Sequence, residues 1–494
     1  MREIITLQLG QLSNYAATHF WNAQESYFTY AAEEQSFVDH NVHWRPGIGA
    51  DGSETFLPRT VIYDLKGGFG SMRKINALYE PDSEAHPDAL WSGPSVVHKQ
   101  QPVASSAYQQ SLDAGTEPTR LTKSTVRYWS DFSRVFYHPR SLVQLYDFEL
   151  NSTVMPFERF AMGSELFSTL DREHELVDRD WRPFAEECDA MQGIQVFTTT
   201  DDAWGGFAAS YIEALRDEYP KTCIWVWGLT SPLLDIPRPK RQLRLVNTAH
   251  SIDQLTAQAT MLVPLALPET DLPAGLTIDA HSSWHTSAAL AAAIETATLP
   301  SRLAKDSAGQ PGSIDYLAEC LNPAGNQPLA SMQASLAATA DESDDSRIEI
   351  DFFQIGRSTR RGPQKQRSNH IFGQVVSSRA PKFQENHVEE LAGSQDRQLV
   401  GSSVIRKYET ALKFPLLDSY PQIFPPAAGQ VDMGFETNLS SNTSIGPRIK
   451  TLRSEVTRLV NLEEREGLSN GLAELAEAYR EDWSSGSDED DDDL

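Results

Sequence analysis

The residues with the clearest chemical potential are two adjacent carboxylates, Asp201 and Asp202, followed by the pair Gly205 and Gly206. They stand between a predicted strand and a predicted helix, where free backbone N–H groups and the helix dipole favour a bound phosphate. The glycines would let a ligand approach the backbone closely, whereas the carboxylates would repel a triphosphate unless a cation intervened. The alternative is an aspartate that caps the helix. The residue types favour the cap over nucleotide binding.

The elements that must position these residues form one βαβ unit. Residues 192–197 alternate in the manner of a strand, and residues 222–227 are β-branched and aromatic, which predicts a second strand. Between them, apolar residues recur at helical spacing until Pro220 ends the helix. The helical positions are Phe207, Tyr211, Ile212, Leu215 and Tyr219. Such a unit implies parallel strands joined by a right-handed crossover.

A second turn of this kind lies at the start of the chain. Residues 3–9 alternate as a strand, residues 10–14 form a turn, and residues 15–32 have the pattern of an amphipathic helix. This arrangement again directs a helix N-terminus at the turn. Because doubly wound sheets gather such turns at the carboxyl ends of their strands, we expect Gly10 to lie close to the turns at Gly67 and Gly205.

Composition narrows the class of protein. The chain has 494 residues, enough for two or three packed units, and a net charge of −27, which argues against a nucleic-acid coat or an anionic-membrane binder. Cys188, Cys223 and Cys320 lie far apart, which indicates buried thiols in a reducing compartment rather than a disulfide framework or a zinc site. No apolar run approaches a membrane span, and the N-terminal residues have the character of neither a secretory signal nor a transit peptide.

Several segments of the first 255 residues resemble tubulins, in the same order along the chain. Residues 58–65 resemble the strand before the second nucleotide loop of tubulins, and residues 188–195 resemble the helix and strand before their Gly-rich loop. Residues 218–220 close the next helix as in tubulins, and residues 246–255 resemble their sugar-contacting segment. At the N-terminus the shared residues are Met1, Arg2, Glu3, Ile4, Gln8, Gly10, Gln11, Asn14, Phe20 and Trp21.

Three further motifs narrow the family. The motif D-L-K-G-G-F-G spans residues 64–70, H-K-Q-x-P spans residues 98–102, and Y-Q-Q-S-L spans residues 108–112. With these motifs the chain is identified as a fungal member of the Misato family. The resemblance implies an α/β fold: a tubulin-like, doubly wound parallel sheet domain, an α+β intermediate domain and C-terminal helices.

The Misato resemblance also implies a function. Misato proteins are tubulin-related factors of mitochondrial distribution and of mitochondrial DNA inheritance. We therefore expect a non-enzymatic factor in the cytoplasm and on the cytosolic face of mitochondria. Its expected partners are proteins of the mitochondrial surface or the cytoskeleton, with a cytosolic chaperonin as a further candidate, and we expect neither direct nucleic-acid binding nor a membrane span. The alternative is an active tubulin-like GTPase that polymerises or switches.

The candidate nucleotide pocket departs from the tubulin pattern. The Gly-rich phosphate loop of tubulins is replaced by residues Thr200 to Gly206. Lys66 stands where tubulins have an acidic residue close to the nucleotide-bound magnesium. Residues 91–108 contain no equivalent of the Asn-rich third loop. The position of the Asn that reads the base in tubulins falls near Leu267. The Asn, Asp and Glu positions of the tubulin hydrolytic loop are taken roughly by Ser313, Asp315 and Ala318, so only the Asp is retained. The residues assigned to a vestigial pocket are Gly10, Gln11, Lys66, Gly67, Gly68, Gly205, Gly206 and Asn247.

Two opposite interpretations of this pocket follow. Lys66 could contact phosphates directly in place of a metal. The favoured alternative is that the pocket has become a packed set of loops, since the bulk of Phe69 and Trp204 would fill it. We therefore assign no catalytic residue, no metal ligand and no cofactor, and GTP is the alternative cofactor.

The predicted division of the chain has five parts. Residues 1–115 and 116–265 form the two halves of the tubulin-like domain. Residues 266–410 form the intermediate domain with an exposed loop at 340–347, residues 411–480 a helical region, and residues 481–494 a disordered acidic tail.

Four local patterns add detail to this division. Residues 287–298 and 314–321 have helical patterns, and residues 348–355 that of a strand. The basic residues within 357–367 indicate either a solvated loop or a docking strip for an acidic partner or lipid headgroups. Near the C-terminus, we expect Gly467 and Gly471 to interrupt a helical pair.

Overall fold

The structure is a computed structural model that describes most of the chain. The described residues are 2–29, 36–48, 54–72, 103–232, 236–268, 272–273, 275–304, 312–337, 347–356, 369–379, 398–400, 403–424 and 432–480. Within them, no helix has the length and apolar character needed to cross a membrane. Within the described residues no disulfide bond joins Cys188, Cys223 and Cys320. Cys223 and Cys320 are buried as the sequence predicts, whereas Cys188 is only partly buried.

Six described strands form a parallel sheet in the order β5-β4-β1-β6-β7-β8, which we call sheet A. Their bounds are β1 Glu3–Leu9, β4 Thr60–Lys66, β5 Leu142–Glu149, β6 Met191–Thr199, β7 Cys223–Leu229 and β8 Met261–Leu265. The four inner strands are almost wholly buried, as expected for a parallel sheet covered on both faces. The predicted βαβ unit is confirmed, because β6 and β7 pair in parallel around the helix between them.

Helices cover both faces of sheet A. On one face α1 packs against α7, and on the other α3, α5 and α6 pack side by side. The bounds are α1 Gln11–Glu25, α2 Ala107–Asp113, α3 Phe160–His174, α4 Arg182–Glu186, α5 Ala203–Glu218, α6 Arg238–Gln258, α7 Ser283–Thr298 and α8 Ile314–Leu321. The doubly wound tubulin-like architecture expected from the sequence is therefore observed.

Helix α1 begins four residues earlier than the sequence predicts. Gly10 has a φ of +86° and turns the chain directly from β1 into the helix, so the first turn includes residues assigned to a loop. The helix ends at Glu25, and residues 30–32 of the prediction lie outside the described part.

A second, mixed sheet, which we call sheet B, has the order β10-β9-β16-β11-β13-β12. Its strands are β9 Ser331–Ala337, β10 Arg347–Asp351, β11 Ile371–Arg379, β12 Gln398–Val400, β13 Ser403–Thr410 and β16 Phe435–Asn442. Because β16 inserts between β9 and β11, the domain boundary predicted at residues 410/411 divides this sheet. The region predicted as helical from residue 411 is accordingly helical only after residue 444.

Two short antiparallel pairs complete the described strands. Their bounds are β2 Trp44–Ile48 with β3 Glu54–Pro58, and β14 Phe414–Pro415 with β15 Asp432–Met433. The predicted strand at 348–355 is shorter, since β10 ends at Asp351. Residue 347, predicted as the end of an exposed loop, is the first residue of β10. The rest of that loop (340–346), the basic segment (357–367) and the acidic tail (481–494) lie outside the described residues.

The last two helices are α9 Ile445–Val456 and α10 Leu462–Glu477, and both pack against α6. The expectation that Gly467 and Gly471 interrupt this pair is wrong, because α10 continues through both. A Cβ atom at Gly471 would collide with the carboxylate of Asp253 on α6. This glycine therefore permits close packing of two helices.

Helix α7 is buried along nearly its whole length between α1 and sheet B. Most of its residues are small, but it carries a fully buried carboxylate, Glu295. Glu295 forms ion pairs with Arg302, which follows the helix, and with Arg379 at the end of β11. Gln24 of α1 donates to Glu295 Oε1 at 3.3 Å. We call these four side chains the Glu295 clamp, which joins α1, α7 and sheet B.

The Glu295 clamp should be essential for stability. Replacing Glu295 by Ala should lower the free energy of unfolding by about 3–5 kcal/mol, because two buried guanidinium groups would lose their counter-charge. Urea denaturation followed by circular dichroism measures the change. Glu319→Ala, on the exposed side of α8, is the matched control and should cost no more than ~0.5 kcal/mol. Equal losses from the two variants would contradict the clamp.

Candidate functional site

Three turns meet at the carboxyl ends of the central strands of sheet A. Gly10 donates its backbone N–H to the carbonyl of Tyr63 at 3.1 Å. Gln11 Nε2 donates to the carbonyl of Gly68 at 2.9 Å, and the indole of Trp204 lies against Gly10. The expected proximity of the turns at Gly10, Gly67 and Gly205 is confirmed.

The indole of Trp204 occupies the space in front of the first turn. A Cβ atom built on Gly10 would lie 2.5 Å from Trp204 Cδ1 and Nε1. The tryptophan is 4% exposed and contacts the rings of Phe157 and Phe207 at centroid distances of 5.3 and 5.5 Å. A ligand approaching the backbone of Gly10 would have to displace this packed side chain.

The polar groups near the first turn bind each other. Asp64 Oδ2 accepts hydrogen bonds from Gln11 Nε2 at 2.6 Å, from Asn14 Nδ2 at 2.9 Å and from Trp129 Nε1 at 3.1 Å. Its Oδ1 accepts the N–H of Leu65 at 2.8 Å. Complete burial raises the pKa of Asp64 to about 7, although these donors oppose the shift. Gln11 is thus engaged within the protein.

The adjacent aspartates have different roles. Asp202 caps α5, since its Oδ1 accepts the N–H of Trp204 at 2.9 Å and the hydroxyl of Thr199 at 2.5 Å. Its carboxylate therefore occupies the position at the helix N-terminus where a phosphate would bind. Asp201 is buried, and its Oδ2 lies 3.6 Å from Arg244 Nη1. Of the two interpretations of this turn, the structure matches the cap.

Gly205 and Gly206 lie inside α5 and serve helix packing. A Cβ atom on Gly205 would collide with the hydroxyl of Ser251 on α6, and one on Gly206 with the carbonyl of Phe160 on α3. These glycines let three helices approach one another, so their sequence pattern resembles a phosphate loop for a different physical reason.

Asn247 is committed to structural hydrogen bonds. Its Nδ2 donates to the carbonyls of Glu158 at 2.6 Å and Asp201 at 3.0 Å, and its Oδ1 accepts the N–H of Phe160 at 3.0 Å. The side chain is 2% exposed. It connects α6 to the segment before α3 and to the turn before α5.

The second turn is only partly buried. Gly67 is exposed, and Phe69 is buried against the ring of Trp129 at 5.6 Å. Lys66 is half-buried, and its ammonium group makes no hydrogen bond or ion pair to a described residue. The structure thus places Lys66 near this turn without defining a ligand for it.

One loop assigned from the sequence lies elsewhere, and the residues assigned to a second loop form the start of a helix. The third strand of sheet A after β1 and β4 is β5, so the loop that follows it is 150–159 and not 91–108. Ser313 caps α8 by accepting the N–H of Tyr316 at 3.2 Å, while Asp315 is exposed and Ala318 is buried. Ser313, Asp315 and Ala318 are far along the chain from the first turn.

The sequence analysis missed one residue of the turn cluster, Trp129, because no motif in the sequence singles it out as a partner of Asp64.

The family comparisons agree with this geometry. Residues 2–114 match a Misato Segment II tubulin-like domain, and residues 118–303 match a tubulin domain. The fold and the cluster of turns therefore define a tubulin-like α/β protein.

Similar proteins identify the family within this class. The chain is 67% identical to Protein DML1 of Gibberella zeae and 49% identical to Protein dml-1 of Neurospora crassa, in both cases over 100% of each chain. It is 30% identical to Protein misato homolog 1 of Pongo pygmaeus over 66% of this chain and 63% of that protein. The chain belongs to the Misato family and is one of its fungal members.

The buried Asp64 should give stability a characteristic pH dependence. Its pKa is raised in the folded protein, so the folded state holds a proton that the unfolded chain releases between about pH 4 and 7. The free energy of unfolding of the wild type should therefore fall as pH rises through this interval. Asp64→Asn should weaken that fall, which urea titrations between pH 5 and 7.5 would measure.

The control for this measurement is Asp315→Asn, which changes an exposed carboxylate on α8. This variant should keep the pH dependence of the wild type. An Asp64→Asn profile parallel to that of the wild type would show that Asp64 does not titrate in this interval.

Proposed function

We propose that this chain is a non-enzymatic, tubulin-related factor in the partitioning of mitochondria and mitochondrial DNA. It acts in the cytoplasm and on the cytosolic face of mitochondria, through protein partners at the mitochondrial surface or the cytoskeleton. The mitochondrial role rests on the resemblance to the Misato family. The non-enzymatic role rests on the closed turn cluster.

One observation carries the non-enzymatic proposal: the protein's own side chains fill the positions that a nucleotide would need. Trp204 covers Gly10, and Asp202 holds the N-terminus of α5. Gln11 and Asn14 are bound to Asp64. A nucleotide would have to displace an indole, a capping carboxylate and a buried network together.

Charge repulsion also opposes the binding of a nucleotide at these turns. A unit negative charge at contact distance from a phosphate costs about 4 kcal/mol at an effective dielectric constant of ~20. Asp201 and Asp202 both lie at the turn before α5, so their ionised forms would oppose a triphosphate there. Backbone donors at a helix end supply comparable energy, but Asp202 already accepts one of them.

Calorimetric titration with GTP and Mg²⁺ should show no tight, stoichiometric binding by the wild type. The double variant Asp201→Gly with Asp202→Gly should not create a site, because Trp204 would still cover Gly10. Adding Trp204→Ala to these two changes should open the space and raise the affinity for GTP above that of the double variant. Circular dichroism must accompany the titrations, since loss of the Asp202 cap costs about 1 kcal/mol.

Tight binding of GTP by the wild type, abolished by a change within the turn cluster such as Gln11→Ala, would overturn the closed-site proposal. It would favour the alternative, a tubulin-like GTPase that polymerises or switches. Hydrolysis of bound GTP by the wild type would have the same consequence.

The cellular location can be tested by protease treatment of intact mitochondria. The mitochondrial fraction of the protein should be digested without rupture of the outer membrane, because we propose that it lies on the cytosolic face. Immunoblotting measures the remaining protein.

A protein exposed on the outer membrane and a matrix protein serve as controls for this treatment. Full protection of the chain alongside the matrix protein would contradict the proposed location. Normal inheritance of mitochondrial DNA in cells depleted of the chain would contradict the proposed role in partitioning.

A further inference from the structure

A cavity of about 390 Å³ lies at the carboxyl ends of β7 and β8, beside the start of α6. Its walls come from the loop at residues 230–232, from residues 266–267 after β8, and from the first part of α6. Residues 454–459, at the end of α9, close another side. Apart from the adjacent Asp201, it shares no residue with the turn cluster around Gly10.

Four arginines line this cavity. Arg238, Arg241 and Arg244 recur every three residues and so lie along one side of α6, and Arg458 follows α9. Arg238, Arg241 and Arg458 are exposed and form no ion pair with a described residue. In a chain of net charge −27, unpaired guanidinium groups around one cavity favour an anion.

The start of α6 adds to this preference. The helix has no side-chain cap and no acidic residue in its first turn. Its free N–H groups and dipole therefore act in the same direction as the arginines.

Two carboxyl groups also line this cavity. Asp201 is 2% exposed, and its Oδ1 accepts no hydrogen bond from any described residue. Glu455 Oε2 is likewise buried without a described partner. Buried polar oxygens of this kind are normally satisfied, so they call for donors such as hydroxyl or N–H groups. Burial and the neighbouring Asp202 raise the pKa of Asp201 to about 7, which lessens its repulsion of an anion.

Part of the remaining wall is apolar and suits a carbon skeleton. Leu245 on α6, Ala266 and Leu267 after β8, and Leu459 after α9 contribute this part. The cavity volume falls in the range of small-molecule sites in proteins.

We propose that this cavity binds a small phosphorylated metabolite that carries hydroxyl or N–H donors. The phosphate binds Arg238, Arg241 and Arg458, and the donors bind Asp201 and Glu455. Arg244 holds Asp201 in place, since its Nη1 also donates to the carbonyl of Pro232 at 3.3 Å. The site is independent of the closed turn cluster and gives the protein a ligand-binding role beyond partitioning.

Titration calorimetry of the full chain with ribose 5-phosphate, inorganic phosphate and ribose tests the site. Ribose 5-phosphate should bind more tightly than inorganic phosphate, and ribose should not bind measurably. The double variant Arg241→Gln with Arg458→Gln should lose at least ~10-fold in affinity for ribose 5-phosphate, since two charge-assisted contacts are removed. Glu455→Gln should weaken ribose 5-phosphate binding and leave inorganic phosphate binding unchanged.

The matched control is Arg140→Gln with Arg172→Gln, which removes two exposed arginines near β5 and at the end of α3. This control should bind ribose 5-phosphate like the wild type. An equal loss in both double variants, or no binding of either phosphate by the wild type, would overturn the proposal. Direct binding of a peptide of residues 484–494 in the same titrations, without binding of either phosphate, would show that an acidic segment of the chain is the ligand instead.

This experiment also separates the cavity from the turn cluster. If the wild type binds GTP and the double variant Arg241→Gln with Arg458→Gln does not, the nucleotide binds in the cavity, and the proposal that the turn cluster is closed still stands. GTP binding that survives those changes belongs to the cluster and counts against the proposed function.

Discussion

The buried carboxylate of Glu295 is the interaction on which the rest of the structure depends. A charge removed from water must be paired and hydrogen-bonded, and here both oxygens are held by guanidinium groups from different parts of the chain. Arg302 follows α7 and Arg379 ends β11, so the clamp sets the position of α7 relative to sheet B. The small residues of α7 then allow α1 and sheet B to approach the helix from opposite sides.

The position of α1 in turn sets the geometry of the turn cluster. Because α1 is held against α7, the turn at Gly10 is fixed at the edge of sheet A, where the turns after β4 and β6 also end. All three turns of the tubulin-like scaffold are thus present at this edge of sheet A. Trp204 and the Asp64 network occupy this edge with packing and hydrogen bonds of the protein's own side chains, so the fold alone does not define the chemistry.

The two carboxylates before α5 divide the edge of sheet A into two regions. Asp202 faces the helix it caps and closes the turn cluster. Asp201 lines the cavity beside α6, where arginines from α6 and the end of α9 surround it. The C-terminal helices therefore do more than cover sheet A, since their packing on α6, aided by Gly471, brings Arg458 and Glu455 to this cavity.

The sequence by itself determined β1, β6, α5, β7 and the proximity of the three turns, because these follow from local periodicity and from the rules of parallel sheets. It indicated the family through the resemblance of its motifs. Only the tertiary structure decided the role of Gly205 and Gly206, which pack helices, and the path of β16 into the middle of sheet B. It also decided which side chains occupy the turn cluster. The physical reason is that hydrogen bonds such as that of Trp129 to Asp64 join residues far apart in the chain, whose partners no local pattern specifies.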